Sequence, residues 1–297
     1  MKLVIYPDYD LWNFTMRSLK RVDDAEVYPL NRYCSAPQIA LRKYIPNAQA
    51  PAIFLLGNTL RQRLGLLQDG DSIIVCEYMN VALCSAILKS LHAKVDLHLW
   101  FWNPVFDHEP YFSRNRDKVE RMGFSIHTFD PDDAAKYNLK LHKQFFPISN
   151  FKGITCNCYW SDFYFLGFDK GRGNDLKELS TRLKSYNQHF ILAKKSTDYI
   201  TYDENIINIL HTRCVVDIVQ SNQDGFTLRP LEAIALKKKL LSNNMSLLET
   251  DFYNSENIFV IGHDDWNRIE DFLNTPFAPI EQNIIDSYDM LSWIKNF

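Results

Sequence analysis

The chain has 297 residues, 46% hydrophobic, 14% aromatic and 23% charged, which excludes disorder, collagen-like repeats and a low-complexity scaffold and leaves room for two domains. Its 33 Lys+Arg against 36 Asp+Glu give a net charge of -3, so no broad positive field awaits a nucleic-acid backbone and any anion site must be local. The start MKLVIYPDYD turns acidic too early for a signal peptide, no run approaches the ~20 apolar residues of a membrane span, and six cysteines are too few for a disulfide scaffold. The expectation is a soluble, cytoplasmic protein with buried thiols.

Short β-branched or aromatic runs alternate with stretches of helical period, the pattern of parallel strands joined by crossover helices. In the first half the pattern predicts strands at 2–6, 72–78, 95–102, 125–129 and 139–145, and helices at 59–67, 81–91 and 111–122. Asp69-Gly70-Asp71 turns into a strand, and Asp130-Pro131-Asp132-Asp133 starts a helix with acids where the dipole favours them. Periodicity lapses over 146–159, where Pro147, Ser149, Asn150 and Gly153 cluster, and this stretch reads as a joint. A second series predicts strands at 163–166, 189–193, 214–219, 239–242 and 258–261, with helices near 175–186, 203–211, 231–236 and 264–273. Residues 280–297 carry an amphipathic helical spacing. The expected division is 1–150, 151–279 and a C-terminal helix at 280–297 that crosses back to the first domain.

The stretch 215–243, VVDIVQSNQDGFTLRPLEAIALKKKLLSN, is the most informative. A buried strand gives way to a polar loop with Gly225, and Pro230 fits only a helix's first turn, so the loop ends at a helix N-terminus. Free N–H groups there, beside a Gly that permits close approach, suit a phosphate or pyrophosphate. Arg229 adds a planar fork for two phosphate oxygens, and Glu232 can accept from a ribose's paired hydroxyls. Each residue also has an ordinary use as turn, helix starter, surface cation or dipole-compensating acid; their coincidence at one junction favours the binding reading.

The segment GFTLRPLEAIALKKKLLSNN resembles the second-domain signature of glycosyltransferases with the GT-B fold, and FYFLGFDKGRGNDL resembles the start of that domain. The resemblance, over residues 163–261, is to small bacterial transferases of capsule, lipopolysaccharide or exopolysaccharide assembly. It implies an α/β fold of two Rossmann-like domains facing a cleft. The donor would be a nucleotide-diphospho-sugar held by Gly167, Lys170, Arg172, Gly225, Thr227, Arg229 and Glu232. It further implies metal-independent transfer of a hexose-type sugar to a glycan or lipid-linked glycan acceptor, with no cofactor and no nucleic acid, and it allows peripheral association with the inner face of the cytoplasmic membrane. Many retaining members carry an E-x7-E pair, but the position eight after Glu232 is Leu240. That departure leaves stereochemistry open, and keeps nucleotide-sugar epimerisation or hydrolysis, or a non-catalytic subunit of a polysaccharide-assembly complex, as alternatives.

Transfer leaves negative charge on the departing diphosphate, which Lys170, Arg172 and Arg229 would stabilise, while a base for the acceptor hydroxyl should come from the first half. Loops at strand C-termini offer Asp8, Asp10 and Glu77 for that role, and Asn103 as an acceptor contact. Asp8-Tyr9-Asp10 could alternatively hold a hard cation, a weaker reading. Cys156-Asn157-Cys158 is too tight for a zinc knuckle and reads as buried packing at the joint, the eight histidines have no metal spacing, and Lys237-Lys238-Lys239 reads as the solvated end of a helix. No nucleophile elbow or Walker loop occurs.

Overall fold

A computed structural model describes residues 1–32, 34–44, 55–77, 79–156, 158–219 and 225–297. The chain divides into two compact units, Met1–Lys143 with Ile294–Phe297, and Gln144–Trp293. Each is built on a parallel, Rossmann-like sheet.

The first unit contains β1 (Lys2–Tyr6), α1 (Asp10–Met16), β2 (Ala25–Pro29), α2 (Ala36–Tyr44), α3 (Asn58–Leu64), β3 (Ser72–Cys76), α4 (Val81–Lys89), β4 (Asp96–Phe101), α5 (Tyr111–Arg121), β5 (Phe124–Thr128), α6 (Pro131–Tyr137) and β6 (Lys140–Leu141). The strand order is β2-β1-β3-β4-β5-β6. The inner strand β3, SIIVC, is buried at every position, as a parallel strand covered on both faces requires. Leu3, Ile5, Ile73, Val75, Leu97 and Leu99 anchor one core with the buried side of α4. The acid run at 130–133 starts α6 as expected: the Asp130 side chain accepts from the N–H groups of Asp132 and Asp133 at 3.0 and 3.1 Å.

The second unit contains β7 (Ser161–Phe168), α7 (Gly173–Arg182), β8 (Gln188–Ala193), α8 (Tyr202–Leu210), β9 (Thr212–Asp217), α9 (Arg229–Ala235), β10 (Lys239–Ser242), β11 (Ile258–Val260), α10 (Ile269–Asn274) and α11 (Gln282–Ser287). Its order is β11-β10-β9-β7-β8, over a core of Phe163, Phe165, Val216, Leu241 and Phe259. The chain ends in α12 (Met290–Lys295).

Several expectations are corrected. The predicted strand 139–145 pairs only through Lys140 and Leu141, opposite His127 and Thr128; its aromatic end packs instead, with Phe145 stacked on Trp293 at 4.2 Å. The expected helix 264–273 begins only at Ile269, because Asp264 is tied back to the strand end by accepting from the Val260 N–H at 2.7 Å. The terminal helix is broken into α11 and α12. Phe146 N–H donates to the Tyr288 carbonyl and Met290 N–H to the Phe146 carbonyl, both at 3.0 Å, and this short parallel bridge interrupts the helix. The lysine triplet is not a solvated helix end: Lys238 and Lys239 are each 5% exposed, their ammoniums turned onto backbone carbonyls.

Candidate functional site

In both sheets the chain leaves the first strand to one side and later returns to its other side, so the connections after β1 and β3, and after β7 and β9, depart in opposite directions. Such a switch point opens a crevice at the strands' carboxyl ends, where open α/β sheets bind ligands. The sequence-predicted site residues lie at or near these exits.

In the first unit Glu77 directly follows β3 and has φ 63°, a left-handed conformation that costs a non-glycine residue about 1–2 kcal/mol. Three donors hold its carboxylate. Asn103 Nδ2 donates to Oε1 at 2.6 Å, Trp12 Nε1 donates to Oε2 at 2.5 Å, and the Tyr9 hydroxyl donates to the same Oε2. Burial, and then the Glu77 charge, push the Tyr9 phenol far above its ordinary range, so it stays a proton donor. The Tyr9 residue is still 43% exposed, which puts this network at the protein surface. Beneath it Trp12, Trp100 and Trp102 form a buried aromatic floor, with Trp12 and Trp102 centroids 4.3 Å apart.

Asp8 takes a different partner set: its Oδ1 accepts from Arg32 Nη2 and Asn13 Nδ2, each at 3.0 Å. Asp10 occupies the first turn of α1, where an acid suits the helix dipole. The structure thus brings Glu77 and Asn103 together, and separates Asp8 and Asp10 into an ion pair and a helix start. Among the described residues no group of three or more His, Cys, Asp or Glu could hold a metal ion. The sequence reading missed Tyr9, Trp12 and Arg32; the Tyr9/Trp12 i,i+3 spacing was the available signal.

In the second unit two arginines bridge the switch point from opposite sides. Arg172 donates from Nη1 to the Ile218 carbonyl at 2.8 Å and from Nη2 to the Phe168 carbonyl at 2.7 Å. Arg229, opening α9, donates from Nη2 to the Leu166 carbonyl at 2.9 Å and pairs through Nη1 with Glu232. Gly167 makes room for the first of these: a Cβ there would lie 2.9 Å from the Phe165 ring and 3.2 Å from Arg172 Nη2. Lys170 is exposed in the same loop, at φ 39° and followed by Gly171 at φ 86°.

Glu232 is fully buried, and both its oxygens are engaged, one by Arg229 and one by the Tyr202 hydroxyl. Its carboxylate faces inward and fixes Arg229. Burial opposes the Arg229 charge, but Glu232 and the surrounding tyrosines outweigh it and hold the guanidinium above its usual range. Burial likewise opposes the Arg172 charge, partly offset by Asp217. Asp217, the last residue of β9, accepts from Thr227 Oγ at 3.0 Å and Ser242 Oγ at 3.2 Å, and Thr227 Oγ accepts from the Arg229 N–H at 3.1 Å. Burial raises the Asp217 carboxyl, with Thr227, Arg229, Ser242 and Arg172 working against the shift. Gly225 is buried; the loop residues 220–224 before it lie outside the described residues. Asp217 and Tyr202 escaped the sequence reading, although an acid closing the apolar run Cys214–Val216 was a visible signal.

No family model and no curated protein matches the sequence. Among solved structures the chain is similar to the Glycosylation Associate Protein (Gap123) complex from Streptococcus agalactiae, with 14% identity and a TM-score of 0.40 over 80% of this chain and 53% of that one. The chain therefore spans about half the length of the solved chain it matches. No helix among the described residues is long and apolar enough to cross a membrane.

Proposed function

We propose that the chain is a metal-independent glycosyltransferase of GT-B type, with the nucleotide-diphospho-sugar held by the second unit and a bacterial surface-glycan acceptor by the first. The observation that carries this reading is the gathering of Lys170, Arg172 and Arg229 around the switch point of the second sheet, two of them braced on strand carbonyls. Transfer breaks the bond between the anomeric carbon and the diphosphate oxygen, builds cationic character on the sugar and leaves charge on the diphosphate. Lys170, with Arg229 fixed by Glu232, stabilises that charge, and Arg172 adds its field from behind while tying β7 to β9. In the first unit Glu77, oriented by Tyr9, Trp12 and Asn103, accepts the proton of the acceptor hydroxyl, with Asp8 and Asp10 as the less well placed candidates.

One observation favours a second reading, a non-catalytic subunit on the same scaffold: the Arg172 guanidinium is already committed to carbonyl groups. A panel of nucleotide-diphospho-sugars, incubated with and without glycan acceptors, separates the readings. Transfer requires acceptor-dependent nucleotide release that falls about 10²-fold or more in Glu77→Gln. Acceptor-independent release or isomerisation assigns a hydrolase or epimerase instead, and binding without turnover assigns the non-catalytic subunit.

A further inference from the structure

The Cys156-Asn157-Cys158 motif belongs to neither crevice. Cys156 is half-buried and Cys158 exposed, whereas Cys76, Cys84 and Cys214 are buried. Cys156 Sγ lies 3.3 Å from His211 Nδ1, and that nitrogen lies 2.8 Å from the Cys158 carbonyl oxygen. A carbonyl only accepts, so this contact places a proton on Nδ1; the Cys156 thiol donates to the same carbonyl at 3.4 Å, so thiol, imidazole N–H and carbonyl meet at one point, and on loss of the thiol proton the sulfur becomes a second acceptor for that N–H. The imidazole is held in place: the Trp160 indole stacks flat on it, with centroids 3.8 Å apart and planes 6° apart, and the Trp160 backbone N–H ties the two residues together by donating to the His211 carbonyl at 2.7 Å. A buried ammonium also acts on the thiol. Lys238, 5% exposed and fixed by donating to the Leu210 carbonyl at 2.6 Å, interacts electrostatically with Cys156. A partly exposed thiol in contact with an imidazole N–H and in the field of an ammonium, with a second, exposed thiol two residues on, is the environment of a reactive rather than a packing cysteine.

We propose that Cys156 and Cys158 form a hydroperoxide-responsive dithiol. The Cys156 thiolate attacks the peroxide: an S–O bond forms, the O–O bond breaks, and the leaving oxygen takes a proton and departs as water or alcohol. The Cys158 thiol then attacks the sulfenic sulfur; an S–S bond forms, the S–O bond breaks, and the hydroxide leaves as water with the Cys158 proton. The two sulfurs together lose two electrons, which reduce the peroxide. His211 and Lys238 stabilise the attacking thiolate, and the chemistry is independent of the glycosyl-transfer reading.

The test treats the full reduced chain with equimolar hydrogen peroxide, blocks remaining thiols with N-ethylmaleimide and maps the products by mass spectrometry, with the half-buried Cys34 as internal reference. The expected result is a Cys156–Cys158 linkage formed about tenfold faster than Cys34 is oxidised. Cys158→Ser should stop at a Cys156 sulfenic acid that dimedone labels, and His211→Gln should remove most of the rate advantage over Cys34. A wild-type Cys156 oxidised no faster than Cys34, or oxidised without linkage to Cys158, overturns the proposal, and that comparison decides the matter even if His211→Gln does not fold.

Discussion

Glu77 shows how a single residue carries both strain and chemistry. Its left-handed backbone is unfavourable, and three donors hold its side chain there, a combination found where function over-determines geometry. Glu77→Gln places an amide N–H against at least one of those donors, and a loss of about 1–3 kcal/mol in urea unfolding is expected. An unchanged midpoint would mean that the three hydrogen bonds do not form. Glu232 makes the complementary case. Its side chain is 1% exposed and that of Arg229 14%, so Glu232→Ala strands a buried guanidinium, with an expected cost of about 3–5 kcal/mol, whereas Arg229→Ala leaves the acid the Tyr202 hydroxyl. Calorimetric or chemical unfolding of the two variants checks the order. Strand-exit logic placed Glu77 and Asn103 at strand ends, and the structure has them there, in contact with each other. Glu232's role was not legible in the sequence, because a first-turn acid reads as solvent-facing unless Tyr202, thirty residues away, is known to meet it.

At the scale of elements, the inner strands were legible because parallel strands buried on both faces are continuous apolar runs: β1 and β10 have their expected bounds, and β3 and β9 lie within or beside theirs. Strand β2 was not, since only its last two residues, Tyr28 and Pro29, are buried, as suits an edge. Neither was the break before α12, which depends on a backbone bridge to Phe146. Gly167 in β7 tests the packing of one element on the next. Gly167→Ala should cost about 1–3 kcal/mol in a thermal melt, and less when Arg172→Ala is also present, because one of the two clashing partners is then gone. Strictly additive effects would disprove the contact. Strands β4 and β5 carry a pH-dependent element. His98 Nδ1 and His127 Nε2 are 3.1 Å apart, and Phe297 lies against both rings and His142. Burial, then His98, His142 and Lys140, push His127 down to about 3 from its ordinary 6.5. The folded state therefore binds fewer protons than the unfolded chain between those values. This contribution is complete above pH 6.5 and is lost progressively as pH falls towards 3. Urea unfolding at pH 5 should show a loss on the order of 1–2 kcal/mol relative to pH 7, reduced in His127→Gln; identical pH profiles for wild type and variant would contradict it.

At the scale of the whole molecule, two sheets of the same switched order each bring polar side chains to their carboxyl edge, and the second edge is where cations collect. The leaving-group chemistry assigned to these cations begins with the binding of a diphosphate. Isothermal titration of the full chain with a series of nucleoside diphosphates, repeated on Lys170→Ala and Arg229→Lys, tests it most directly. Saturable binding of one nucleoside diphosphate is expected, weakened about tenfold or more in each variant while the parent nucleoside alone binds too weakly to detect. Absence of binding to every diphosphate, or binding of equal strength in wild type and both variants, would contradict that assignment.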